Sequence, residues 1–99
     1  MSESVENSKD KDISFNLEVS NKMGIHARPA AMIVRISSRF KGDIWVEKDG
    51  EKVNAKSIMG IMMLAASKGT VLTFHVSSNK CDEFQKEMSE LFSSKFQDE

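Results

Sequence analysis

Apolar and polar residues alternate from Ile13 through Phe15 and Leu17 to Val19, a period of two that predicts a strand with one buried face. The alternation stops at Ser20-Asn21-Lys22, a turn-rich run. From Ala30 the spacing becomes helical: Ala30, Ala31, Ile33, Val34 and Ser37 recur on one side, and Gly42 lies just past an end expected at Phe40 or Lys41. Ile44 and Val46 mark the inner side of a second strand, Asp49-Gly50 is a two-residue hairpin signal, and Val53 belongs to the return strand, so a hairpin is predicted over 43–54. Ser57 is placed to cap a short helix running to about Ala65, ahead of Lys68-Gly69. Leu72, Phe74 and Val76 alternate as a fourth strand, and Phe84, Met88, Leu91 and Lys95 share one face of a final helix that Asn79 is placed to cap.

The order β-α-β-β-α-β-α predicts an α/β (α+β) fold. Its form is an open-faced sandwich, a four-stranded, mainly antiparallel sheet covered on one face by three helices. Residues 12–96 would form this single domain. Residues 1–11 are polar, of mixed charge and expected to stay disordered, and 97–99 form a C-terminal tail.

At 99 residues there is room for one modest core and no separate catalytic lobe, so function should sit on the surface. Lys plus Arg (14) nearly cancel Asp plus Glu (15), for a net charge of -1. The basic stripe of a nucleic-acid binder is therefore not expected. No apolar run approaches the roughly 18 residues of a membrane span, and the N-terminus lacks a signal peptide's apolar core, so a cytoplasmic protein without direct membrane insertion is expected. A single cysteine, Cys81, cannot form an internal disulfide and fits a reducing compartment.

The stretch MGIHARPA, residues 23–30, stands where the first strand has ended and the first helix begins. Backbone N–H groups of a first helical turn have no intrahelical partner and favour anions. Pro29 is tolerated there because its missing N–H is not needed, and Gly24 permits a tight or positive-φ path. Arg28 adds a permanent charge whose planar fork suits phosphate oxygens. A neutral His26 in this setting can attack phosphorus without a separate general base. On spacing alone a loop histidine before a helix is more often a simple cap or an exposed polar residue.

A second motif changes that balance. GIHARPA followed some thirty residues later by KSIMGIM closely resembles the HPr family, the histidine-containing phosphocarriers of the bacterial phosphoenolpyruvate-dependent sugar phosphotransferase system. The resemblance covers about residues 12–95, including the Asp49-Gly50 hairpin and the Lys68-Gly69-Thr70 turn. It implies that His26 accepts a phosphoryl group on Nδ1 from phosphorylated enzyme I and passes it to enzyme IIA domains. Arg28 would stabilise the phosphate. Ser57 resembles the family's regulatory serine, a target of HPr kinase/phosphorylase, and can serve as a helix cap at the same time. Ile58, Met59 and Met62 would belong to the docking face, with core packing as the competing role for residues of that helix. The resemblance also implies a monomer that needs no cofactor or metal and has no turnover of its own. Two alternatives stay open: an HPr-like regulatory module, and a nitrogen-related carrier in a signalling chain without sugar transport.

Two positions depart from the family's pattern. Met23 stands where many members have a small polar residue, and Lys48 replaces a frequent aromatic before the hairpin. His75 is expected as a surface residue on the polar side of the fourth strand, Trp45 on the open face of the sheet, and Cys81 as packing at a helix start. A metal site from His26, His75 and Cys81 would require three residues of no ligand spacing to converge.

Overall fold

A computed structural model describes residues 11–97. Strand β1 spans Lys11–Glu18, β2 Asp43–Lys48, β3 Glu51–Asn54 and β4 Val71–Ser78. Helix α1 spans Ala27–Ser38, α2 Ile58–Met63 and α3 Cys81–Ser93. The strands lie in the order β1-β4-β2-β3, every pair antiparallel. This is the open-faced sandwich that the alternation predicts. Lys11, assigned to the tail by sequence, pairs with Ser78 and starts the sheet. Of the tails expected over 1–11 and 97–99, residues 1–10 and 98–99 lie outside the described residues, while Gln97 belongs to a 3₁₀ turn, Lys95–Gln97, and not to a tail.

Register follows from burial. Ile44, Val46, Leu72, Phe74 and Val76 all point to the helix side, where a one-residue slip would turn them to water. The hairpin turn has positive φ at both central residues, 52° at Asp49 and 85° at Gly50, the requirement of a type I′ turn. All six phenylalanines join one run of ring contacts. Phe15 stacks on Phe74 at 5.5 Å between centroids, Phe84 meets Phe40 edge-on at 5.4 Å and Phe74 at 6.0 Å, and Phe92 bridges Phe74 at 5.9 Å and Phe96 at 5.0 Å.

Several helix ends differ from expectation. Helix α1 stops at Ser38 with Arg39 as its C-cap, and Lys56 Nζ donates to the carbonyls of Phe40 at 2.8 Å and Gly42 at 2.9 Å just beyond. An ammonium from another segment thus satisfies acceptors that a longer helix would have used. Helix α2 ends at Met63, with Leu64 as its cap and Ala65 at a φ of 50°. Lys80, not Asn79, occupies the N-cap of α3, and no side chain caps it; Asp82 and Glu83 place negative charge in the first turn instead. Lys95 lies beyond α3 at a φ of 54°, and the 3₁₀ turn Lys95–Gln97 inserts Phe96 into the core.

Candidate functional site

The loop leading from β1 into α1 is anchored before it reaches His26. Asn21, 1% exposed, donates from Nδ2 to the Gly24 carbonyl at 2.8 Å, while its own backbone carbonyl accepts the Gly24 N–H at 3.2 Å. Gly24 has a φ of +75°, and a Cβ there would lie 2.7 Å from the Ala66 carbonyl oxygen and 3.0 Å from Ser67 Cα. Both are backbone atoms that cannot swing aside. Conformation and space therefore both demand glycine. The buried Ile25 donates its N–H to that same Ala66 carbonyl at 2.9 Å. The segment following α2 is thus the wall on which the histidine loop rests.

His26 comes next, at the N-cap of α1, with φ -101° and ψ -163°. Its carbonyl accepts the Ala30 N–H at 2.9 Å, whereas its side chain makes no capping hydrogen bond and is exposed. The N–H groups of Ala27 and Arg28 precede that first helical bond, at the positive end of the helix dipole. Arg28 is exposed on the same first turn, and Pro29 is buried beneath it. Proline at this point interrupts no helical bond and fixes the entry of the chain.

Ser57 caps α2 as expected: its Oγ accepts the Gly60 N–H at 3.0 Å. The short helix divides its apolar residues. Ile61 and Leu64 are buried, while Ile58, Met59 (73% exposed), Met62 and Met63 (68%) face outward, and Met23 in the histidine loop is also exposed. The competition among Ile58, Ile61, Met62 and Leu64 is thereby resolved by the turn of the helix. Helices α1 and α2 pack on each other, so the two motifs that lie thirty residues apart in sequence share one end of the molecule.

Elsewhere the candidates separate. His75 is a partly covered residue in a chain of contacts, not a simple surface residue: Ser14 Oγ lies 2.9 Å from its Nδ1 and Glu47 Oε1 lies 2.7 Å from its Nε2. Trp45 sits beside it on the open face, 39% exposed. Cys81 opens α3, buried, with its Sγ 3.3 Å from the carbonyls of Ser78 and Lys11. Among the described residues no three His, Cys, Asp or Glu side chains are placed to hold a metal ion. A groove of about 720 Å³ between the end of α1 and the start of α3 is lined by residues such as Arg39, Lys80 and Glu87, and includes no residue of either motif. Sequence reading placed Asn21 in a turn but missed that its side chain is buried and anchors the loop before His26.

Residues 13–94 match the family model described as the PTS HPr component phosphorylation site. The chain belongs to the HPr family. Phosphocarrier protein HPr of Xylella fastidiosa is 39% identical over 87 residues, which cover 88% of this chain and 98% of that protein. HPr-like protein Crh of Bacillus subtilis is 54% identical over 61 residues, 62% of this chain and 72% of its own. The crystal structure of an HPr from Thermoanaerobacter tengcongensis matches with a TM-score of 0.82 at 47% identity, covering 88% of this chain and 98% of that one. HPr proteins are phosphocarriers of the phosphotransferase system and not catalysts in their own right. No helix among the described residues is long and apolar enough to cross a membrane.

Proposed function

We propose that this HPr receives a phosphoryl group on His26 Nδ1 from phosphorylated enzyme I and delivers it to enzyme IIA domains, acting as a cytoplasmic monomer. The observation that carries this reading is the placement of His26. It is an exposed imidazole at a helix N-cap, with no capping bond to occupy its side chain. As a bond forms between Nδ1 and phosphorus, the donor's bond to phosphorus breaks. The loose transition state asks mainly for alignment and for charge to be met. The N–H groups of Ala27 and Arg28 supply part of that charge, and the Arg28 guanidinium the rest. A carrier must also release the group. An open surface with one arginine and a helix terminus holds phosphate less firmly than an enclosed pocket would.

Docking in this reading falls to the outward residues of α2, Ile58, Met59 and Met62, where flexible thioethers can fit more than one partner. Phosphorylation of Ser57 by HPr kinase/phosphorylase would place about -1.5 to -2 charges at the edge of that patch. The similarity to Crh supports a regulatory role as a second reading, but the presence of both His26 and Arg28 supports transfer as the primary one. Incubation with phosphoenolpyruvate and enzyme I tests this directly. Acid-labile, base-stable label should appear on the parent and on His75→Ala and vanish in His26→Ala, while Arg28→Ala should label slowly. Label that survives in His26→Ala would overturn the proposal.

A further inference from the structure

Lys48, which departs from the family's pattern, is the last residue of β2 and lies in neither motif. Its ammonium nevertheless reaches the end of α2: Nζ donates to the Leu64 carbonyl at 2.8 Å and approaches the Ala65 carbonyl at 3.4 Å. Carbonyls at a helix C-terminus lack intrahelical partners and carry the negative end of the dipole, so a cation is the fitting cap. The need is greater here because Ala65 is a non-glycine residue at positive φ, a conformation that persists only where its surroundings hold it. The next residue, Ala66, is buried, and its carbonyl is the one that takes the Ile25 N–H at 2.9 Å and against which Gly24 is fitted.

These contacts form one continuous path. It runs from the Lys48 ammonium to the carbonyls of Leu64 and Ala65, through the Ala66 carbonyl to the Ile25 amide, and on to His26. The geometry points to Lys48 as a positioning residue for phosphoryl transfer: it fixes the 64–66 turn in the orientation that holds the backbone immediately before His26. Lys48 touches neither the imidazole nor the phosphate in this role. Its functional consequence rests on the reading of His26 as the phosphoryl acceptor, whereas its structural consequence does not.

Two variants of the full chain separate the possibilities. Lys48→Met keeps the aliphatic stem and removes the donors; Lys48→Arg keeps donors of similar reach. Amide hydrogen exchange should show Ile25 protection falling about tenfold in Lys48→Met, the size expected for losing a charge-assisted hydrogen bond. Sheet amides such as those of Leu17 and Phe74 should keep theirs, and Lys48→Arg should restore most of the loss at Ile25. With phosphorylated enzyme I, Lys48→Met should lower kcat several-fold and leave KM nearly unchanged, because the docking residues Ile58, Met59 and Met62 stay in place. Unchanged Ile25 protection, or an equal fall at every amide, would overturn the positioning role whatever the kinetics. Loosened Ile25 protection with unaltered kcat would overturn its functional half. If the parent itself takes no label from enzyme I, the reading of His26 fails, while the Ile25 amide still decides whether Lys48 positions the loop.

Discussion

Buried phenylalanines and outward-facing methionines mark two regions of this molecule. On the side where α3 covers the sheet, rings pack on rings, each fixed by neighbours at 5.0 to 6.1 Å. At the end shared by His26 and α2, the large apolar side chains that face outward are Ile58 and four methionines, Met23, Met59, Met62 and Met63. Aromatic contacts have preferred geometries and define one arrangement. Methionine is unbranched and adapts to whatever meets it. The first region can therefore hold a single structure, while the second, in the docking role proposed for it, can adapt to partners of different shape. Rigidity at the site comes from hydrogen bonds that end on main-chain atoms, including those from the Asn21 and Lys48 side chains.

The sharpest way to break that contrast is Phe84→Ala. Phe84 is fully buried against Phe15, Phe40 and Phe74, and its truncation should cost about 3–5 kcal/mol, read as a lower midpoint in urea. A shift well under 1 kcal/mol would mean that the ring cluster is not the stabilising centre.

Gly24→Ala probes the histidine loop in the second region. A Cβ at positive φ, 2.7 Å from a backbone carbonyl, should cost about 1–3 kcal/mol and displace Ile25 from Ala66. Phosphorylation by enzyme I should slow by more than the stability loss accounts for, seen as a lower rate well below the unfolding temperature. Normal transfer in this variant would show that the loop tolerates displacement.

The mildest test lies at Ser57. Ser57→Ala removes the oxygen that accepts the Gly60 N–H and should cost about 1 kcal/mol, with transfer nearly normal. Ser57→Asp keeps a capping oxygen, so stability should stay close to the parent's while the encounter with enzyme I weakens. That weakening should shrink with salt, since exposed charges are screened over roughly 8–10 Å at moderate ionic strength. Equal kinetics for Ser57→Asp and the parent at low and high salt would reduce Ser57 to a helix cap.

Strands β1, β2 and β4 were legible because each carries its own alternation, and the Asp49-Gly50 turn, with β3 as its return strand, because a type I′ hairpin has few acceptable residues. His26 and Ser57 were legible as helix starts, where local sequence and local structure coincide. Lys48 was visible only as a departure, since nothing around it announces carbonyls sixteen residues away. Phe96 escaped for a different reason. It enters the core by leaving helical geometry at a φ of 60°, so no periodicity could include it. His75 looked like an isolated polar residue because Ser14 and Glu47 come from two other strands. What sequence reading missed was in each case a contact made across elements or a break in their regularity.

The pairing of β1 with β4 has a consequence in time. Ser14 and His75 touch across the sheet but are 61 residues apart in the chain. At a synthesis rate of roughly 5–20 residues per second, the first strand exists for about 3–12 s before its partner is made. During that interval Ile13, Phe15 and Leu17 have no completed sheet to join, and the hairpin of β2 and β3 can close long before them. The wall that supports His26, at Ala66, is also synthesised after the histidine itself. A nascent chain therefore carries His26 for some forty residues of synthesis before the wall that holds its loop exists, so the histidine loop cannot be set as soon as it is made.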